Sequence, residues 1–283
     1  MNPTMRAARL GLGRGLREFR QTLASSDQIF NVVIAVIFLT VLLFQRGSTV
    51  EGSSLSLAAS TLPSMLGMLV AFGGATGAAG QLSTNREDGT LLRAKAVPHG
   101  MVGYLVGRVV QVSLDTLVSL LVILVPGLFV VSGLAAAGFT GWLTLTWVLA
   151  LGLLATMPWG AIIGSLTKTP QATFGFTMLP IMGITTISGI FYPISALPGW
   201  LQGIAQVFPI YWLGLGTRSA LLPDAAAAAE IGESWRHLET VGVLGVWAAA
   251  GLLLAPVVLR RMARRESGSA VAQRRQRAMQ RVG

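Results

Sequence analysis

Two ionisable side chains, Arg108 and Asp115, fall within one apolar run of the 283-residue chain and are the first candidates for chemistry. A separation of seven residues puts them on one helix face, about 10 Å apart along the axis. Arg108 lies about two turns into the run and can snorkel toward the nearer membrane surface. Asp115 is deeper. An acid at that depth usually faces a cavity or a protein partner. Its plainer roles are a hydrogen bond to a neighbouring helix or a water-mediated pairing with Arg108. A proton-coupled carrier would use Asp115 as its proton site, but it would call for more such groups and a repeat with helices broken at mid-membrane, which the chain lacks.

The rest of the reactive inventory is thin. There is no Cys, hence no disulfide, thiolate ligand or cysteine nucleophile. The two histidines, His99 and His237, stand apart with no H-E-x-x-H, so no metal site is expected. Neither lies within a span where it could activate a serine. A phosphate loop needs G-x-x-x-x-G-K-[ST], yet the two lysines, Lys95 and Lys168, follow Ala94 and Thr167. No catalytic residue is assigned, and no cofactor is expected on this chain. It does not read as an enzyme.

Composition sets the class. Hydrophobic residues make up 53% of the chain and charged residues only 11%, against about 25% in soluble domains. Several apolar runs reach the roughly 20 residues needed to cross a bilayer. A transmembrane barrel would alternate apolar and polar residues in segments of about ten, a pattern absent here. The fold expected is therefore an all-α, multi-pass membrane protein. Its net charge of +10 reflects basic residues gathered on one membrane face rather than nucleic-acid binding.

Residues 1–27 read as an amphipathic interfacial helix. Leu12, Leu16, Phe19 and Leu23 form one stripe, and Arg6, Arg9, Arg14, Arg17 and Arg20 lie off it. Charge continuing this far argues against a cleaved signal peptide. Gly11, Gly13 and Gly15 predict a loose early part. Residues 28–260 hold six expected spans, at about 28–44, 57–82, 101–132, 139–166, 171–191 and 238–259. In the second, Ala71, Ala75 and Ala79, like Gly73 and Gly77, are spaced by four, which lets helices approach closely in lipid. The short uncharged connection 133–138 predicts a hairpin of spans three and four. Residues 192–222 carry Pro193, Pro198, Pro209 and several aromatics, and read as two half-helices broken at Phe208–Pro209 that dip into one face. An ordinary interfacial helix pair with an aromatic belt would look similar. Residues 261–283 are a basic tail, most simply a stop-transfer anchor at lipid headgroups. With both termini cytoplasmic, the inner segments hold most cations, and the outer ones hold only Arg46, Arg218 and Arg236, as the positive-inside rule requires.

The polar stretch 85–98 concentrates Arg86, Glu87, Asp88, Arg93 and Lys95 between two apolar runs. Gly89 permits a sharp bend and Thr90 can cap a helix, so 90–97 predicts a short helix ending at Pro98. Such an element is either a solvated loop that sets topology or a docking knob for a soluble partner.

This stretch resembles the motif E-R-E-x-G-T-L-x-R-L-x-x-x-P of the membrane subunits of type 2 ATP-binding-cassette exporters, a permease family of bacterial drug, natural-product and polymer efflux. Arg86, Glu87, Gly89, Thr90, Leu91, Arg93 and Pro98 match, while Asn85 replaces the acid and Ala94 the leucine. Residues 188–221 resemble a second block of the family through Gly189, Phe191, Pro193, Leu197, Pro198, Trp200, Pro209 and Arg218. The resemblance implies a permease at the cell membrane, paired as a homodimer or with a related permease. Separate ATPase subunits would carry ATP and Mg. Residues 90–97 would be the coupling helix, with Arg86 and Glu87 in charge contacts to the ATPase or the entry helix. Phe191, Pro193, Pro198, Trp200, Pro209 and Arg218 would form an external gate. The cargo implied is hydrophobic or amphiphilic, with antibiotics the foremost example. A proton-coupled carrier using Asp115 and a non-transporting membrane sensor or scaffold remain as rivals.

Overall fold

The computed structural model describes residues 2–49, 56–131, 133–134, 137–167 and 169–265, and these are helical with a single isolated bridge between Thr49 and Ser56. Glu51, Lys168 and the basic tail beyond residue 265 lie outside the described residues.

Helix α1 (Pro3–Leu23) starts where the Asn2 side chain accepts from the Thr4 N–H at 3.2 Å and Pro3 presets the first turn. Helices α2 (Ser26–Gln45), α3 (Leu57–Glu87), α4 (Thr90–Lys95), α5 (Gly100–Val130), α6 (Gly138–Leu166) and α7 (Pro170–Ile187) follow. The Ser56 side chain caps α3 through the Ala59 N–H, and Thr169 caps α7 through the Ala172 N–H. After α7 come a 3-10 turn (Ile194–Ala196), α8 (Gly199–Val207) and α9 (Pro209–Leu221), with the expected break at Phe208–Pro209. Two 3-10 turns, Asp224–Ala229 and Ile231–Glu233, lead to α10 (His237–Arg265), which carries Arg260, Arg261 and Arg264 within its last turns.

Among the described helices, α3, α5, α6 and α10 are long and apolar enough to cross a membrane. The helices at the other two expected spans are shorter. The apolar part of α2 is Asn31–Gln45, and α7 has 18 residues.

Helix α3 is the hub. It packs on α6 and α9 on one side and on α5 and α7 on the other. The α3–α6 contact is made backbone to backbone: a Cβ on Gly160 would stand 2.7 Å from Ala75 Cα, and one on Gly164 would stand 2.9 Å from Ala79 Cα. Here the four-residue alanine spacing meets a matching glycine spacing on the partner. Helix α10 closes the far side of α6, where Trp159 Nε1 donates to the Trp247 carbonyl at 3.1 Å.

Helices α5 and α6 each pack on α3. One expectation is corrected: the α1 glycines are not a loose segment. Gly11 and Gly15 are buried against Gly103 and Gly107 of α5. A Cβ on Gly15 would meet the Gly107 carbonyl at 2.5 Å. The backbones thus cross at small-residue notches, and the cost in helix propensity is offset by close packing. Leu12, Leu16 and Leu23 of α1 remain exposed, as an apolar face directed at lipid would be.

Candidate functional site

The polar stretch is built into the end of the bundle where α3, α4, α6 and α10 meet. Helix α3 runs five residues past its expected end at 82, so Asn85, Arg86 and Glu87 form its last turn. Gly89 then adopts a left-handed φ of 77°, which reverses the chain. The cap of α4 differs from the expected Thr90: Gly89 is the N-cap residue, and the Asp88 carboxylate accepts from the Thr90 N–H at 2.7 Å. The Thr90 hydroxyl instead accepts from Arg93 at 3.1 Å.

One side of α4 is anchored. Leu91, only 2% exposed, enters a cluster with Leu82, Tyr104, Ala255, Leu259 and Met262, so it touches α3, α5 and α10 together. The Lys95 ammonium donates to the Ala263 carbonyl at 2.7 Å, near the end of α10. Arg86 does the same for α6. Its Nη1 donates to the carbonyls of Gly164, Ser165 and Thr167 at 3.2, 3.0 and 2.8 Å. Helix C-termini leave carbonyls unpaired and carry partial negative charge, so a cation is the matching partner at each end. Asn85 Nδ2 donates to the buried Tyr104 hydroxyl at 3.0 Å. Glu87 is half-buried. Arg93, Val97 and Pro98 are exposed and form the free side of the element.

One level deeper, Arg108 of α5 forms an ion pair with Glu18 of α1 and donates at 2.7 Å to both Gln81 of α3 and Gln111. Gln111 in turn donates to Thr22 of α1 at 3.3 Å. Arg108 is therefore a junction of three helices. The sequence marked Arg108, and Glu18 is the sole acid among the charges of α1, but nothing in the spacing links the two helices at that point.

Asp115 opens onto a cavity of about 580 Å³ between α2, α3, α5 and α7. Its walls are apolar and soft: Phe38, Phe72, Phe174, Met178, Met182 and Phe191. Thr116 and Ser119 stand beside Asp115, and Gln81 links the cavity to the Arg108 junction. Among the described lining residues Asp115 is the one acidic or basic side chain. The volume lies within the range of roughly 300–1,000 Å³ typical of small-molecule sites. Cavity lining by α7 was not legible, because a helix apolar on every side reads the same whether it faces lipid, protein or a cleft.

At the opposite end, α9 is buried between α3, α6 and α10, while α8 lies outside it. Pro209 starts α9 at a position where a missing N–H costs nothing. Pro193 and Pro198 precede the 3-10 turn and α8, and Trp200 and Phe191 are exposed. Arg218, 5% exposed, holds this end together. It donates to both Glu230 carboxylate oxygens at 2.6 and 3.1 Å, to Ser64 Oγ of α3 at 2.9 Å and to the Gly189 carbonyl at 3.4 Å. The six residues expected to form one gate therefore divide into two buried positions on α9, Pro209 and Arg218, and four exposed ones at or before α8, Phe191, Pro193, Pro198 and Trp200.

Apolar helices of spanning length, an open cleft and an anchored short helix define a multi-pass membrane protein of the permease kind. A family model described as ABC-2 family transporter protein matches residues 18–257, and the chain belongs to that family. It is the membrane subunit of such a transporter and not itself the ATPase; the family works with an ATP-binding subunit. No curated relative matches the chain.

Proposed function

We propose that this chain is the permease of an ATP-driven exporter that moves hydrophobic or amphiphilic compounds, antibiotic-like molecules foremost, out of the cell. Six helices cross the membrane in this reading, α2, α3, α5, α6, α7 and α10, with both termini and α4 on the cytoplasmic side. The α8–α9 pair dips into the outer face. Two permeases, alike or related, pair across the α2–α5–α7 cleft with two ATPases beneath, which hold ATP and Mg.

The observation that carries the reading is the two-sided construction of α4. Its buried side meets α3, α5 and α10 through Leu91 and is tied to the end of α10 by Lys95, while Arg86, in the last turn of α3 just before it, ties α3 to the end of α6. Its other side offers Arg93, Val97 and Pro98. A push on the exposed side would move three long helices as a unit rather than bend a loop. Thr90, Leu91 and Gly89 act as the seat, and Arg93 and Glu87 make contacts to the ATPase.

The test is co-reconstitution with the cognate ATPase in inverted vesicles and uptake of the neutral dye Nile red. ATP-dependent uptake is expected, and Arg93→Glu should lower both ATPase co-purification and uptake at least tenfold. Uptake that proceeds without ATPase but stops on Asp115→Asn would instead support a proton-coupled carrier. ATPase binding without uptake of any probe would leave a sensor or scaffold.

A further inference from the structure

We propose that the cavity between α2, α3, α5 and α7 selects lipophilic cargo that carries hydrogen-bond donors, hydroxyl or amide N–H, and that Ser119, Thr185 and Thr186 read them. The inference rests on the exporter reading above and deepens it by naming the substrate class.

The hydroxyl protons of the wall are already committed. Thr76 Oγ1 of α3 donates to the Phe72 carbonyl at 2.6 Å, and Ser119 Oγ of α5 to the Asp115 carbonyl at 3.0 Å. On α7, Thr185 Oγ1 donates to the Ile181 carbonyl at 2.7 Å and Thr186 Oγ1 to the Met182 carbonyl at 2.9 Å. All four residues line the cavity. Each hydroxyl has given its one proton to its own helix, one turn back, and keeps only lone pairs for a cargo. Thr116, the other described lining hydroxyl, is buried against Gly73 of α3. Side-chain N–H donors are left to Asn31 and Gln81, near the start of α2 and the end of α3. The preference draws on nothing from the Asp115 carboxylate, which the protein itself engages.

A balance of bonds then separates cargoes. A cargo O–H or N–H that reaches one of these oxygens gains a bond, and the protein loses none. A cargo ether or ketone gains one only if a hydroxyl turns its proton away from its helix, so one bond is made and one is lost. In an apolar surround a donor without an acceptor is costly, which widens the gap between cargoes that can and cannot reach these oxygens. The wall supplied by α7 runs from Phe174 to Thr186, about 18 Å along the helix. A long apolar body with a hydroxyl toward the Thr186 end meets both features.

The test uses two probes of one ring skeleton, estradiol, with two hydroxyls, and its dimethyl ether, with none. Equilibrium binding to the full chain in nanodiscs is measured against empty nanodiscs of the same lipid. Wild type should bind estradiol about fivefold or more tighter than the ether, since one hydrogen bond is worth about two- to tenfold. Ser119→Ala, Thr185→Val and Thr186→Val combined should bring estradiol down to the level of the ether and leave the ether unchanged. Thr185→Ser with Thr186→Ser should keep the preference. Equal binding of the two probes by wild type, or binding of neither, would overturn the proposal. So would a preference that survives the triple variant, or an equal loss of both probes in it. Failure here is separable from failure of the exporter reading. ATP-driven Nile red uptake that estradiol and its ether inhibit equally removes only the donor preference. Donor-selective binding without ATP-driven uptake removes the exporter and keeps the site.

Discussion

The two sides of α3 are both apolar, yet they are built in opposite ways. Toward α6 and α9 it shows Gly67, Ala75 and Ala79 to glycines and bare backbone, and the space is closed. Toward α2, α5 and α7 it shows Met68, Phe72 and Gln81 to an open cavity. Small residues make the closed side, since only they allow backbone contact. The open side sets large flexible ones beside Gly73 and Gly77, which also line the cavity. One helix can therefore be at once a wall of a rigid block and a lining of a variable cleft. In lipid, where the hydrophobic effect does not distinguish an apolar neighbour from an acyl chain, packing alone separates the two.

The sharpest way to break this contrast is at the closed side's far end. Arg218→Ala would leave Glu230 buried without its cation and Ser64 without its donor. The expected loss is about 3–5 kcal/mol in equilibrium unfolding in mixed micelles. Replacing both partners, Arg218→Met with Glu230→Gln, should recover much of it, because the stranded charge is the larger part of the cost. A loss under about 1 kcal/mol for the single variant would mean that this end is loose and that the closed side is not a block.

How far the sequence could carry this picture follows from the same contrast. The helix positions were legible, since long apolar runs and Pro, Gly and charge punctuate them: the Phe208–Pro209 break and the starts of α5 and α7 fall where expected within a residue. The Ala71–Ala75–Ala79 spacing pointed to close approach, and Ala75 and Ala79 make it. Glycines in α1 pointed the wrong way, because helix propensity speaks only of the isolated helix and not of Gly103 and Gly107 waiting on α5. Asp115 was singled out by its charge. The cavity around it was not legible, since its other linings look like any membrane helix. Arg86 was singled out by the motif, but its partners were not legible. Bonds to carbonyls leave no trace in the partner's side-chain identity.

Next in size is Gly160→Val. Its Cβ would fall on Ala75 backbone, which has no rotamer to turn aside, so α6 must shift off α3. We expect about 3 kcal/mol lost, at the upper end of overpacking costs, together with lowered expression. Gly183→Val on α7, whose Cβ meets nothing within 4 Å, is the matched control and should cost under about 0.5 kcal/mol beyond helix propensity. Equal effects at both positions would erase the difference between the two flanks.

Arg86→Ala should have a smaller effect, about 1.5–2 kcal/mol, from losing charge-assisted bonds to the α6 carbonyls. Arg86→Lys should restore only part of it, because one ammonium does not reproduce the planar guanidinium fork at this site. The diagnostic reading is elsewhere. Coupling between ATP hydrolysis and uptake should fall in Arg86→Ala more than ATPase binding does, because α4 keeps its exposed side while the end of α3 that carries it loses its tie to α6. Binding and coupling that fall together would place Arg86 at the ATPase surface instead.

The smallest expected change in stability lies on the open side and tests it most directly. Phe174 lines the cavity from α7 yet is 59% exposed, so its ring is held by few neighbours. Truncation of a packed phenylalanine costs about 3–5 kcal/mol. Phe174→Ala should cost no more than about 0.5 kcal/mol, since it removes little buried area and opens no enclosed void. Its effect on transport should be the larger one. Loss of a ring face from the cavity wall should lower ATP-dependent Nile red uptake several-fold. A stability loss near that of a core phenylalanine would show that the cleft is filled by protein, and that α3 has two closed sides after all.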